Sequence, residues 1–300
     1  MTAITLILRG ALTNWREYLV LCKPRIVSLI VFTAIVGMFL SVPGLAPWPV
    51  FLFGTLGIGL GAASAAAINH LIDEKADAVM NRTQARPLPT GKLTREQALI
   101  FAITLGVLSM VILYFLINPL TAWLTLASMV GYGIIYTAFL KRTTPQNIVL
   151  GGASGAMPPV LGWTAATGEL HVHAFLLFLI IFVWTPPHFW ALAVARRDEY
   201  GRANFPMLPV THGVDFTKQQ VVLYTFLLFA VSLLPFVSKM SGLIYLAGAI
   251  GLGGYFLYLA FALYRHTSNE LAMKTFGYSI FYLAALFAFL LIDHYLPSFL

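Results

Sequence analysis

Asn69, Asp73 and Asp77 recur at every fourth position where a long apolar run ends. On a helix that spacing sets three oxygen-bearing side chains on one face. Arg82 and Arg86 follow at once, in a stretch that closes with Arg86-Pro87-Leu88-Pro89-Thr90-Gly91. Magnesium prefers oxygen ligands and commonly takes one or two carboxylates together with substrate phosphates. A guanidinium matches phosphate geometry with two parallel hydrogen bonds. The pattern therefore predicts a diphosphate held through Mg2+, with Asn69, Asp73 and Asp77 on the metal. Arg82 and Arg86 are expected to neutralise the departing phosphates. The plainer alternative is a solvated loop whose arginines only mark one side of a membrane and in which Lys75 pairs with an acid. Glu74 points off the shared face.

The elements that must position these residues are membrane helices. Hydrophobic residues make up 59% of the 300-residue chain and charged residues 10%, against roughly 25% charged in soluble domains. Mean hydropathy is +0.85. Apolar runs of about 20 residues read as spanning helices. Nine are expected, near 24–41, 49–72, 97–117, 120–140, 147–166, 173–195, 219–238, 242–264 and 275–296. The fifth is the least regular, with Gly151, Gly152, Gly155 and the pair Pro158-Pro159. Small residues of this kind let membrane helices approach closely.

Charge orients the spans. With the N-terminus in the cytoplasm, 17 of the 18 Lys and Arg fall on the cytoplasmic side, and only Lys239 does not. Such a bias supports both the orientation and the number of spans. Lys23 enters the argument only as one of these topology markers. The net charge of +7 is then a membrane signal and gives no reason to expect a nucleic-acid partner. The expected chain is one membrane-embedded domain over 1–300. It has an N-terminal cytoplasmic segment (1–22) and cytoplasmic cap loops at 73–96 and 196–218. Residues 1–22 read either as an interfacial helix or as a lead-in without structure. Cys22 is the single cysteine, so no disulfide forms within the chain. The absence of a signal-peptide core or an extended Arg- and Ser-rich leader favours a bacterial inner membrane, with the C-terminus in the periplasm.

An intramembrane N-x-x-x-D-x-x-x-D followed by basic residues and R-P-L-P-x-G resembles the UbiA superfamily of prenyltransferases. The resemblance implies an all-α fold of nine transmembrane helices around a central cavity, and a magnesium-bound prenyl diphosphate at the motif. Related enzymes carry a Tyr and a Lys near Tyr136 and Lys141, which makes Lys141 a candidate diphosphate contact. Its alternative is a membrane-side anchor beside Arg142. Most members also have a second D-x-x-x-D in the second cap loop. Here Arg202 stands four residues after Asp198. That departure puts a second two-aspartate metal site in doubt and leaves Asp198 as a tentative lone ligand.

Other strings resemble one branch of the superfamily, the one whose acceptor is heme B. They are Trp184-Thr185-Pro186-Pro187-His188-Phe189-Trp190, Pro206-Met207-Leu208-Pro209-Val210, and Thr144-Pro145-Gln146-Asn147 leading into the glycines. The likeness runs from about residue 19 to the last helix. It implies farnesyl diphosphate as donor and a heme vinyl group as acceptor, with Trp184, Phe189 and Trp190 stacking on the porphyrin and His188 at the iron. Aromatics at a membrane interface otherwise form a belt, and the plainer role of a histidine after Pro-Pro is to serve a freed carbonyl. His70 is a weaker heme candidate. His171, His173 and His294 lie on the outer side and read as interfacial. Association with heme A synthase or oxidase assembly machinery is a further expectation. Two alternatives stay open: an aromatic prenyltransferase of a quinone pathway, which the second D-x-x-x-D would mark, and a secondary transporter using Asp73 and Asp77. Transporter sites lie near the bilayer midplane on broken helices, whereas these acids sit at a helix end.

Overall fold

A computed structural model describes residues 14–266 and 268–296, so the part of the N-terminal segment before Asn14 lies outside the described residues. All regular structure among them is helical. α1 is Trp15–Leu21 and α2 is Pro24–Leu40; α3 is Trp48–Asp77. α4 runs Arg95–Ile117 and α5 runs Pro119–Thr143, each with a stretch of wider π-helical turns. α6 is Asn147–Ala156, α7 is Pro158–Thr167 and α8 is Val172–Ala195. Two short helices, α9 (Arg197–Arg202) and α10 (Leu208–Thr211), precede α11 (Val214–Val237). α12 (Leu243–Arg265) and α13 (Asn269–Tyr295) complete the bundle.

Seven of these helices are long and apolar enough to cross a membrane, and up to eight if α1 and α2 count as one bent span. The chain is a multi-pass membrane protein. The nine expected spans are partitioned differently for two physical reasons. Over 24–41 the helix has only 17 residues and meets α1 at 55°. Over 147–166 the chain breaks at Met157 into two ten-residue helices. Pro158 starts the second, where its missing N–H costs no hydrogen bond. Within α8, by contrast, Pro186 and Pro187 sit inside an unbroken helix, as packed membrane helices tolerate.

Two cap boundaries also move. α3 continues to Asp77, so Asp73 and Asp77 belong to its last two turns and the first loop starts after them. The second cap is not a loop throughout, because α9, α10 and the first turn of α11 occupy it.

The helices pack both with chain neighbours and across long sequence distances: α3 against α4, α2 against α7, α8 against α6, α11 and α13, and α12 against α11 and α13. The α2–α7 crossing is backbone on backbone. A Cβ on Gly162 would lie 1.8 Å from the Ala34 carbonyl oxygen, and one on Gly37 would lie 2.1 Å from that of Pro159. In lipid the hydrophobic effect does not press helices together, so this close van der Waals fit has to. Helix ends are capped where they leave the bundle. Thr94 and Gln97 exchange side-chain-to-backbone bonds at 3.2 and 2.9 Å, a reciprocal capping box. The Asp293 carboxylate accepts from the N–H groups of Ile244 and Tyr245 at 3.1 Å, closing the start of α12.

Candidate active site

The last turns of α3 hold the site together. Asn69, Asp73 and Asp77 are all buried, none above 4% exposed. Burial of two carboxylates is costly unless cations and hydrogen bonds meet them, and both are supplied from distant segments. The Arg86 guanidinium lies 2.6 Å from Asp77 Oδ2. The Lys141 ammonium lies 2.6 Å from Asp73 Oδ2, and Arg142 stands 3.7 Å from the other oxygen. Asn69 Nδ2 donates to Asp73 Oδ2 at 3.0 Å and to Thr137 Oγ1 at 3.1 Å. The structure thus brings Asn69, Asp73, Asp77, Arg86 and Lys141 together. Arg82 remains exposed on the cap, near enough for its charge to act on Tyr132 and Tyr200.

Lys23 is the residue that sequence reasoning missed. Its ammonium donates to Asn69 Oδ1, and the charges of Arg86, Lys141, Asp73 and Asp77 all act on it. Its backbone is left-handed, with φ +49°. A non-glycine residue there is uncommon and carries a conformational cost. The turn places the side chain under α3 exactly where the bent junction of α1 and α2 ends. The signal available in sequence was a lysine immediately before a helix-starting proline, which membrane topology also explains.

The second cap roofs this cluster. Phe205 packs its ring 4.4 Å from the Lys141 ammonium. Tyr200 is buried close by, and burial pushes its phenol up from the ordinary value, so it remains a donor. Asp198 is exposed, and its neighbour Glu199 is the buried acid, 2.6 Å from Arg196. Asp198, the tentative lone ligand of the sequence, thus stands on the outer side of this turn; a single helical turn has no period long enough to show its inner face.

The aromatic segment of α8 does not form one wall. The His188 ring is sandwiched between Trp184 at 4.2 Å and Phe276 at 4.5 Å. His188 Nδ1 lies 2.6 Å from Ser279 Oγ, and Trp184 Nε1 donates to the Ser279 carbonyl at 2.8 Å. Phe276 and Ser279, both on α13, could not be found from the local string. Phe189 points outward, and Trp190 is buried on another side, edge-on to Tyr224 at 5.2 Å. His70 is 1% exposed, and neither ring nitrogen has a hydrogen-bond partner.

The donor set suits a magnesium-bound diphosphate. Asp73 Oδ1 is buried without a hydrogen-bond partner, an acceptor left for a ligand. Among the described residues no three His, Cys, Asp or Glu converge as a metal cage. Magnesium does not need one when two carboxylates and substrate phosphates share it. Lys23, Arg86 and Lys141 surround the same carboxylates and can meet the phosphate charge.

A buried carboxylate and cation cluster at the end of a membrane helix fits an intramembrane prenyltransferase. The chain belongs to the UbiA prenyltransferase family, whose model matches residues 30–290. Within that family its full-length likeness is to proteins named protoheme IX farnesyltransferase. One from Nitrosococcus oceani is 88% identical over the whole of both chains. One from Thiobacillus denitrificans is 61% identical over 98% of each. Solved structures share the fold at low identity. A structure of digeranylgeranylglyceryl phosphate synthase has a TM-score of 0.79 at 18% identity, covering 94% of this chain and 99% of its own. A UbiA homolog from Archaeoglobus fulgidus, bound to DMAPP and Mg2+, has a TM-score of 0.64 at 18% identity, covering 92% and 99%.

Proposed function

We propose that this protein transfers a farnesyl group from farnesyl diphosphate to a vinyl group of heme B, giving heme O. The observation that carries the donor half is the buried cluster of Asn69, Asp73 and Asp77 ringed by Lys23, Arg86 and Lys141. The acceptor follows from the names of the full-length relatives.

Asn69, Asp73 and Asp77 would hold Mg2+, which would supply Lewis-acid stabilisation of charge on the diphosphate. Arg86 and Lys141 bind the phosphate oxygens, and Lys23 orients the Asn69 amide while adding a third positive charge. Arg82 meets the diphosphate from the cap. As the carbon–oxygen bond breaks, these cations stabilise the leaving group, and the allylic cation that remains is attacked by the heme vinyl carbon. Water then adds to the cationic carbon left beside the porphyrin ring and releases one proton to solvent, which completes the hydroxyethylfarnesyl group. No residue acts as a nucleophile, so catalysis lies in positioning and charge stabilisation. Phe205 and Tyr200 shield the cluster from bulk water. Trp184 and His188 are assigned to the heme side. For His188 the sandwich with Trp184 and Phe276 makes a positioning role fit as well as direct ligation. Asp198, being exposed, is assigned no metal.

We assign the N-terminus and both caps to the cytoplasmic side of a bacterial inner membrane and the C-terminus to the periplasm; the cationic bias supports the orientation. Product delivery to heme A synthase or to oxidase assembly machinery fits a lipid-soluble heme. The test is to incubate the purified protein with heme B, farnesyl diphosphate and Mg2+ and to look for the mass of heme O. The double variant Asp73→Ala, Asp77→Ala, folded normally and still forming heme O at the wild-type rate, would refute the metal assignment. Prenylation of an aromatic acid in place of heme would turn the reading to the quinone-pathway branch.

A further inference from the structure

Counting protons around Ser279 fixes the tautomer of His188. Ser279 Oγ, on α13, lies 2.6 Å from the Phe276 carbonyl oxygen and 2.6 Å from His188 Nδ1. Polar atoms approach this closely across a shared proton. A hydroxyl has one proton to donate, and a carbonyl has none. The Ser279 proton goes to the Phe276 carbonyl, the back-bond that a serine commonly makes within a helix. Were it turned to Nδ1 instead, two acceptor oxygens would face each other at 2.6 Å with nothing between them. The second proton therefore comes from the imidazole: Nδ1 carries it and donates to Oγ.

The surroundings hold this arrangement. Ser279 is fully buried, and Trp184 Nε1 donates to its carbonyl at 2.8 Å. The rings of Trp184 and Phe276 cover the two faces of the imidazole at 4.2 and 4.5 Å. An unpaired imidazolium buried between such rings would be costly, so the ring is neutral and Nε2 is its bare nitrogen. Nε2 has no hydrogen-bond partner among the described residues, and it is not sealed from access. His188 keeps 6% of its surface accessible, and with both faces covered that surface is ring edge.

Stacking on a porphyrin needs a free ring face, which His188 lacks. Axial ligation of an iron needs the opposite: an in-plane lone pair at the ring edge. A ligating histidine almost always donates its other ring N–H to an oxygen, which sets the tautomer and the ring orientation. We propose that Ser279 is a positioning residue for the acceptor, fixing His188 as the Nδ1–H tautomer so that Nε2 presents its lone pair to the heme iron. The inference rests on the heme reading of the acceptor and, of the two roles open to His188, selects ligation. Ser279 stands 91 residues from His188, outside the aromatic string that carries the heme resemblance.

The first test reads the tautomer by NMR in the ligand-free, full-length wild type in detergent, with isotope-labelled histidine nitrogens. His188→Gln identifies the His188 signals by their loss. A protonated Nδ1 and a bare Nε2 are expected, and the reverse assignment overturns the proposal. Hemin is then titrated without farnesyl diphosphate, and the absorption bands of imidazole-ligated iron are followed. Ser279→Ala is expected to weaken this ligation about 10- to 100-fold, the usual loss when the partner of a ligating histidine is removed. Ser279→Thr keeps the hydroxyl and is expected to restore the bands and the affinity, and His188→Gln to lose them. Unchanged bands and affinity in Ser279→Ala overturn the positioning role, as does a folded Ser279→Thr protein that behaves like Ser279→Ala. Should a variant lose its thermal transition, the wild-type tautomer decides. A wild type that ligates hemin through His188 yet forms no heme O refutes the acceptor reading alone. Heme O formation together with wild-type hemin binding in Ser279→Ala refutes the positioning role alone.

Discussion

Replacing Lys141 by Met separates the electrostatic role of the cation from its structural one. Lys141 lies 2.6 Å from Asp73, whose side chain is 2% exposed. With the ammonium gone, that carboxylate keeps the Asn69 amide at 3.0 Å and Arg142 at 3.7 Å. Stranding a buried charge costs about 3–5 kcal/mol. Arg142 is partly exposed and already near, so the lower end applies, about 3 kcal/mol. For a chain of this size that lowers the thermal midpoint by roughly 6–10 °C. Adding Asp73→Asn removes the stranded charge, so the double variant is expected to regain most of the loss. Activity behaves oppositely. Lys141→Met should lower kcat about 10²- to 10³-fold, as the loss of one preorganised charge stabiliser does. Asp73→Asn should be inactive alone and in combination. The assays are a thermal scan in detergent and heme O formation by mass, run on all four proteins. If Lys141→Met is as stable as the wild type, or the double variant is no more stable than Lys141→Met, Asp73 is not a buried charge that depends on Lys141.

Lys23→Met should raise the KM for farnesyl diphosphate about 10- to 100-fold, the worth of one charged hydrogen bond, while the thermal midpoint moves little; unchanged kinetics would return Lys23 to a mere topology marker. Gly162→Ala forces a Cβ to within 1.8 Å of the Ala34 carbonyl oxygen, so α2 and α7 must separate. A loss of about 1–3 kcal/mol or more follows, seen as a lower midpoint. Chelation with EDTA should abolish transfer and added Mg2+ should restore it; activity that survives chelation would argue against the metal. Asp198→Ala should leave activity within about twofold, because the side chain is exposed. Glu199→Gln should destabilise the second cap by about 1–3 kcal/mol, read by proteolysis of the 196–213 segment.

Much of the membrane architecture was legible in sequence because lipid imposes it locally. A spanning helix needs a continuous apolar run, and its ends are marked by cations, so span and charge patterns carry the information themselves. The two discrepancies came from short-range breaks, Met157–Pro158 and the bend at Lys23, where hydropathy is uninterrupted although the helix is not. The shared oxygen face was equally readable: the four-residue spacing of Asn69, Asp73 and Asp77 is a property of one helix.

Contacts between helices carry no such period. Lys23 and Asn69 are 46 residues apart, and Lys141 and Asp73 are 68 apart. Nothing in either segment states that they meet. The same holds for His188, whose neighbours Phe276 and Ser279 arrive from α13, about 90 residues on, and for a depression at the opposite end of the bundle, which joins the ends of four helices. Sequence by itself determined the membrane class, the sites where charge is tolerated and the oxygen face of α3. The tertiary structure decided which cations neutralise those oxygens and which rings face one another, because burial makes an unpaired charge costly and only packing supplies the partner.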